Sequence, residues 1–89
     1  DAVLGALAKG GLGDAFMQLD QPSDALGYYE AAVAHSTNDY TTPKFLYKAG
    51  VTSLEMGDKA KALKYFKVNA VSELSYENQQ KAIQMLEKK

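Results

Sequence analysis

The 89-residue chain contains no cysteine. That absence excludes disulfide bridges, thiolate nucleophiles and every cysteine-based metal site, and it leaves the redox compartment open. Proline occurs only at Pro22 and Pro43, so little in the chain interrupts a helix. No apolar run approaches the ~20 residues that a membrane-spanning helix needs. Neither sign of charge prevails: ten basic residues face eleven acidic ones, for a net charge of −1. Such a balance creates no overall field for nucleic acid or an anionic membrane, and neither is expected as a partner. No initiator methionine and no basic-then-apolar leader precede Asp1, so we expect a segment of a longer protein.

What is present favours helix. Hydrophobic residues make up 46% and charged residues 24% of the chain, the composition of a small globular domain. Alanine, leucine, lysine, glutamate and glutamine, all good helix formers, are abundant. A chain this short buries only ~60–65% of the surface its unfolded form exposes. Its stability is expected on the order of 5–10 kcal/mol at best.

The chain resembles itself at an offset of 37 residues. Leu12-Gly13 falls on Ala49-Gly50, Leu19 on Met56, and Asp20-Gln21 on Gly57-Asp58. Ala25-Leu26 falls on Ala62-Leu63, and Tyr28-Tyr29 on Tyr65-Phe66. One register holds throughout. Each copy carries two helical patterns with a short break between them. In the first, Leu12, Phe16 and Leu19 recur at helical spacing until Asp20-Gln21-Pro22-Ser23, where Ser23 is placed to cap the next helix. That helix aligns Ala25, Tyr29, Ala32 and Ser36, with Leu26 and Val33 beside them. It gives way to the turn formers His35 to Asp39. The second copy opens with Thr42 as cap and Pro43 in the first helical position. Phe45, Leu46, Ala49, Ser53 and Met56 form one face, and Gly57-Asp58 separates them from Ala62, Leu63, Phe66 and Ala70. A fifth helix is expected from about residue 75 to the end, apolar at Tyr76, Ile83 and Leu86 and polar elsewhere. One wet face suits a cap on a stack. The segment 1–8 runs into the first helix, and Gly10, Gly11 and Gly13 are read as sites where a neighbour comes close.

These residues resemble the tetratricopeptide repeat, W-x-x-L-G-x-x-Y, then A-x-x-x-F, then P, over ~34 residues. Leu12-Gly13-x-x-Phe16 and Ala25-x-x-x-Tyr29 carry the likeness in the first copy, Gly50 and Ala62-x-x-x-Phe66 in the second. Lys9 and Leu46 stand in place of the tryptophan, and Thr37 and Leu74 in place of the proline. The extra residues are assigned to the connection from Asn38 to Thr41. The resemblance implies an all-α solenoid of antiparallel helix-turn-helix repeats. Repeat one is expected over about 6–37, repeat two over about 43–74, and a capping helix over about 75–89. The stretch from Asn38 to Leu46 is also similar to bacterial repeat proteins whose full-length forms often carry an N-terminal membrane anchor, and that resemblance implies the cytoplasm or cell envelope.

No residue set points to catalysis, and no cofactor is expected. His35, the single histidine, has no second ligand at a metal-binding spacing, and the end of a helix is a favourable place for its charge. Asp14, Asp20 and Asp24 flank a turn, where solvation keeps carboxylates ordinary. Gly10-Gly11-x-Gly13 lacks the Walker lysine and a preceding strand. Lys59, Lys61, Lys64 and Lys67 make a row without aromatic residues for base stacking, the pattern of a solvated outer face. Adjacent aromatic residues point ~100° apart, so Tyr29 and Phe66 are assigned to the core and Tyr28 and Tyr65 to contacts between repeats.

The family resemblance implies that the first helix of each repeat lines a concave groove. Here that face offers Asp14, Met17 and Gln18, then Lys44, Tyr47, Lys48, Val51 and Leu54. Tyr47, Val51 and Leu54 lie at i, i+4 and i+7, a stripe apart from the core face and suited to a peptide or protein partner. Lys44 and Lys48 are read as able to meet an acidic group on it. The basic and asparagine clamp of the family's chaperone-tail binders is absent. Two occupants compete for this face: a partner, with self-association compatible, or a neighbouring repeat of the same chain in a purely architectural array.

Overall fold

The computed structural model describes residues 1–69, 81, 83–85 and 87–88. The expected all-α class holds: these residues form four helices, α1 (Ala2–Gln18), α2 (Pro22–His35), α3 (Thr41–Glu55) and α4 (Lys59–Asn69). No strand occurs among the described residues, and Lys81, Ile83, Gln84, Met85 and Glu87 are also helical. Ala70, Leu74, Tyr76 and Leu86, and with them most of the expected capping helix, lie outside the described residues. None of the helices described is long and apolar enough to cross a membrane.

Three-residue turns join α1 to α2 and α3 to α4, so each pair is an antiparallel hairpin. Both turns are built from the same hydrogen bonds. The amides of Leu19, Asp20 and Gln21 donate to the carbonyls of Ala15, Met17 and Phe16 at 3.1, 3.0 and 2.9 Å. Those of Met56, Gly57 and Asp58 donate to Thr52, Leu54 and Ser53 at the same three lengths. Each is a Schellman ending, in which one left-handed residue lets the chain cover the last helical carbonyls. That residue is Asp20 (φ 58°) in the first turn and Gly57 (φ 80°) in the second. The 37-residue offset of the sequence is therefore an offset of backbone geometry.

The hairpins are also held by the same ring-on-glycine contact. A Cβ added at Gly13 would lie 2.6 Å from the Tyr29 ring, and one at Gly50 would lie 2.4 Å from the Phe66 ring. Between the hairpins, the Phe45 ring occupies the space above Gly10, 2.0 Å from where a Cβ would be. So Gly10 and Gly13 admit aromatic rings rather than a helix backbone. Gly11 faces open space and has no such role. Ala25, Leu26, Tyr29, Ala32, Phe45 and Ala49 form the larger core, with Leu7, Phe16, Met17, Val33 and Tyr65 packed against it. Ala62, Phe66 and Ile83 form a second cluster. Ile83, read from the sequence as an apolar position of the last helix, is buried in this cluster.

Several expected positions shift. Leu12, Leu19 and Met56 are exposed, because the buried line of α1 is Ala6, Gly10 and Gly13. Leu12 points ~100° away from that line, and Leu19 and Met56 already lie in the turns. Ser23 is not the cap of α2: Pro22 begins the helix, and Gln21 holds the capping position without a side-chain bond. The second turn does better, since Asp58 Oδ1 accepts from the Lys61 amide at 3.0 Å.

At α3 the expected start at Thr42-Pro43 moves back to Thr41, and Asn38 organises it. Its Oδ1 accepts from the amides of Tyr40 and Thr41 at 2.9 and 2.7 Å, while its Nδ2 donates to Thr41 Oγ1 at 2.7 Å. Thr42 Oγ1 accepts from the Asn38 amide in return, at 2.8 Å. This reciprocal arrangement resembles a capping box placed slightly earlier than usual. Buried hydroxyls inside α3 are satisfied locally: Thr52 donates to the Lys48 carbonyl and Ser53 to that of Ala49, at 2.7 and 2.8 Å.

Candidate functional site

The face of α3 away from the core forms one wall of an open groove, α1 forms the other, and the Tyr29 ring of α2 lies at its base. Its volume is about 270 Å³, and its lining is Asp14, Met17, Tyr29, Tyr47, Lys48, Val51 and Thr52. Five of the positions expected from the sequence thus come together: Asp14, Met17, Tyr47, Lys48 and Val51. Gln18, Lys44 and Leu54 do not line it. Gln18 is turned ~100° from Met17, and Leu54 sits on the side of the Val51 line opposite to Lys48 and Thr52, the residues that meet α1. Lys44 lies on nearly the same line as Val51, two turns earlier, and so stands past one end of the groove.

Tyr29 and Thr52 are the residues that the sequence pattern did not reveal. Tyr29 is a core residue by spacing, and it is buried, yet its hydroxyl reaches Asp14 Oδ1 as a donor at 2.5 Å. Thr52 follows Lys48 by one turn and approaches Met17 Sδ at 3.8 Å. Tyr47 remains 40% exposed while its ring tilts against that of Phe66, with centroids 6.0 Å apart. It is therefore rooted in the core and open to solvent at once.

Lys48 does not stand free to meet an acidic ligand group. Its Nζ donates to both oxygens of Asp14, at 2.8 and 2.9 Å, which ties α3 to α1 across the groove. Burial works to raise the Asp14 pKa, but the hydrogen bonds from Lys48 and Tyr29 and the charges of Lys48 and Lys44 outweigh it. The net result is a carboxyl held below its ordinary value of 3.8. Asp14 is thus no plain solvated carboxylate, in contrast to exposed Asp20 and Asp24. Burial and the neighbouring Asp14 carboxylate push Tyr29 well above its ordinary value of 10.0, so it remains a neutral donor. With the ion pair closed, the surface left for a ligand is mostly the apolar flank of Met17, Tyr47 and Val51.

The other sequence features settle into structural roles. In the lysine row, Lys61 pairs with Glu30 at 3.3 Å, Lys67 with Glu87 at 2.9 Å, and Lys64 lies 5.9 Å from the Tyr65 ring centre. Tyr65 donates its hydroxyl to Glu30 and so joins α4 to α2, a contact between hairpins. Tyr28 instead stacks on Phe16 within the first hairpin, with centroids 5.2 Å apart. His35 ends α2, and its imidazole covers Gly5. No three acidic or histidine side chains among the described residues converge as a metal site. A second hollow of about 280 Å³, lined by Ser23, Asp24, Gly27, Tyr28 and Ala31, is the flank of α2 alone.

Fold and groove together define an all-helical domain of two paired hairpins with an open, mainly apolar groove between its first and third helices. Set against protein-family models, curated proteins and solved structures, the chain matches none.

Proposed function

We propose that this chain is a tetratricopeptide-type repeat domain that holds a segment of a partner protein in the α1–α3 groove. The observation that carries this reading is the convergence of Met17, Tyr47 and Val51 around an open groove whose charged residues already satisfy each other. A groove lined this way favours burial of an apolar side chain, and a large tyrosine with few rotatable bonds is a frequent binding anchor. The identical turns and the paired Gly13–Tyr29 and Gly50–Phe66 contacts support the repeat assignment. The converging groups offer no activated nucleophile and no acid–base pair, so binding is the activity proposed.

The test is selection of a displayed library of random peptides on the wild-type domain, followed by rebinding to Tyr47→Ala. Peptides that anchor in the groove should bind the variant roughly 5- to 150-fold more weakly, a loss of ~1–3 kcal/mol. The variant should keep its fold and lose about 1–3 kcal/mol of stability, since a ring that is 40% exposed gives up the buried part of its surface together with its Phe66 contact. Binders indifferent to Tyr47→Ala, or no binders at all, would overturn the proposal.

A second reading has one observation in its favour. Leu4 and Leu12 are exposed on α1, and Leu19 in the turn after it, while the other side of the helix is already in the core. A helix apolar around most of its circumference is suited to burial on both sides. Under that reading the domain is an architectural segment of a longer array, and the selection returns nothing that depends on Tyr47.

A further inference from the structure

The groove has unlike ends. On α3, Lys44, Tyr47, Lys48, Val51 and Glu55 follow one another at i, i+3, i+4, i+7 and i+11, a single stripe along the helix. Lys48 is neutralised by Asp14. Lys44 and Glu55 are both exposed, and among the described residues neither has an ion-pair partner. Their charges reach the groove all the same: Lys44 acts on Asp14 and Glu55 acts on Tyr29. A positive charge thus stands at one end of an apolar socket and a negative charge at the other. At 1.5 Å per helical residue the two are ~16 Å apart.

We infer that the groove selects an extended peptide segment with an acidic residue, a central large apolar residue and a basic residue in one fixed order, the acidic side chain meeting Lys44 and the basic one Glu55. This rests on the binding reading above and specifies its ligand. The segment is extended because the groove is a single socket. An amphipathic helix needs a row of anchor sites, and Leu54, which would continue the row, does not line the groove. At ~3.3 Å per residue an extended chain spans the distance in about five residues. The central side chain supplies affinity through burial, while the terminal charges set direction. Charges at the rim of an interface fix register and exclude wrong orientations more than they add binding energy.

The peptides selected on the wild-type domain provide the probe. Aligned on their apolar residue, they should carry an acid on one side and a base on the other, about five residues apart, in the same order throughout. Lys44→Glu and Glu55→Lys should each weaken such a peptide roughly two- to fivefold, the range of exposed ion pairs. The double exchange Lys44→Glu/Glu55→Lys should prefer the same peptide with its two charged residues swapped. Both side chains are exposed, so these variants should melt as cooperatively as the wild type, with only a small shift in midpoint from the charges near Asp14 and at the ends of α3. Tyr47-dependent peptides without a fixed charge order, or a double exchange that leaves the preference unchanged, would overturn this inference and leave groove binding standing. A selection without Tyr47-dependent peptides would remove both.

Discussion

Asp20 and Gly57 hold the same left-handed position in two turns with matching hydrogen bonds, and each is followed by the residue in the capping position of the next helix. The second turn has glycine, then a capping aspartate; the first has aspartate, then Gln21, which caps nothing. Transplanting the better pair is therefore expected to stabilise the protein. Asp20→Gly relieves a conformation that side chains disfavour, for a gain of about 0.5 kcal/mol. Gln21→Asp adds an N-cap worth about 1 kcal/mol. Denaturant unfolding of the double variant checks the sum, and a midpoint at or below that of the wild type would show that the two turns are not interchangeable. Asp14 acts through charge. Its pKa is lowered on folding. A depressed carboxyl stabilises the fold above its unfolded value, near 3.9, and that contribution disappears as pH falls through the folded value. Melting temperatures of wild type and Asp14→Asn should therefore differ at pH 7 and converge in stronger acid. Both partners are partly exposed, so the difference at pH 7 is expected to stay within about 1 kcal/mol. A gap that persists unchanged at pH 2 would mean that Asp14 matters by shape rather than by charge.

Among the elements, the inward faces of α2, α3 and α4 were legible in the sequence, because alanine and aromatic residues at helical spacing leave one solution for burial. Ala25 and Ala62 are fully buried at the helix crossings, as their repeat positions imply. Leucine at either site should cost about 1–3 kcal/mol through overpacking. Lys64→Ala, on the outer side of α4, should change stability by less than about 0.5 kcal/mol. Urea midpoints compare the three directly, and a costly lysine substitution would invert the assigned faces. The inward face of α1 was harder to read. Its core contacts are made by glycines, which carry no hydropathy signal, so exposed Leu12 and Leu19 looked like the buried line. Helix starts were also misread, for a local reason. Caps are decided by which side chain reaches a free amide, and Asn38, in a run of turn formers, outcompetes Thr42 for that role.

At the scale of the molecule, periodicity and self-similarity anticipated the paired helices, while the expectation of a groove lined by the first helix of each pair came from the family resemblance. Spacing put Tyr47, Val51 and Leu54 on one face of α3, whereas Met17, on α1, joined them only through the family resemblance. Neither could show that Lys48 is occupied, because the partner Asp14 is 34 positions away, and nothing in the sequence of either helix marks such a pair. The same separation has a consequence in time. Most contacts here lie within a hairpin or between consecutive helices, the kind of short-range topology that folds fast. Each hairpin can form before the ends of α1 and α3 have found one another. The Asp14–Lys48 link is then expected to close late, after the rate-limiting step, so that Asp14→Asn should leave the folding rate nearly unchanged. The same variant should unfold faster, because the link is expected to slow the parting of the two hairpins and the opening of the groove they share.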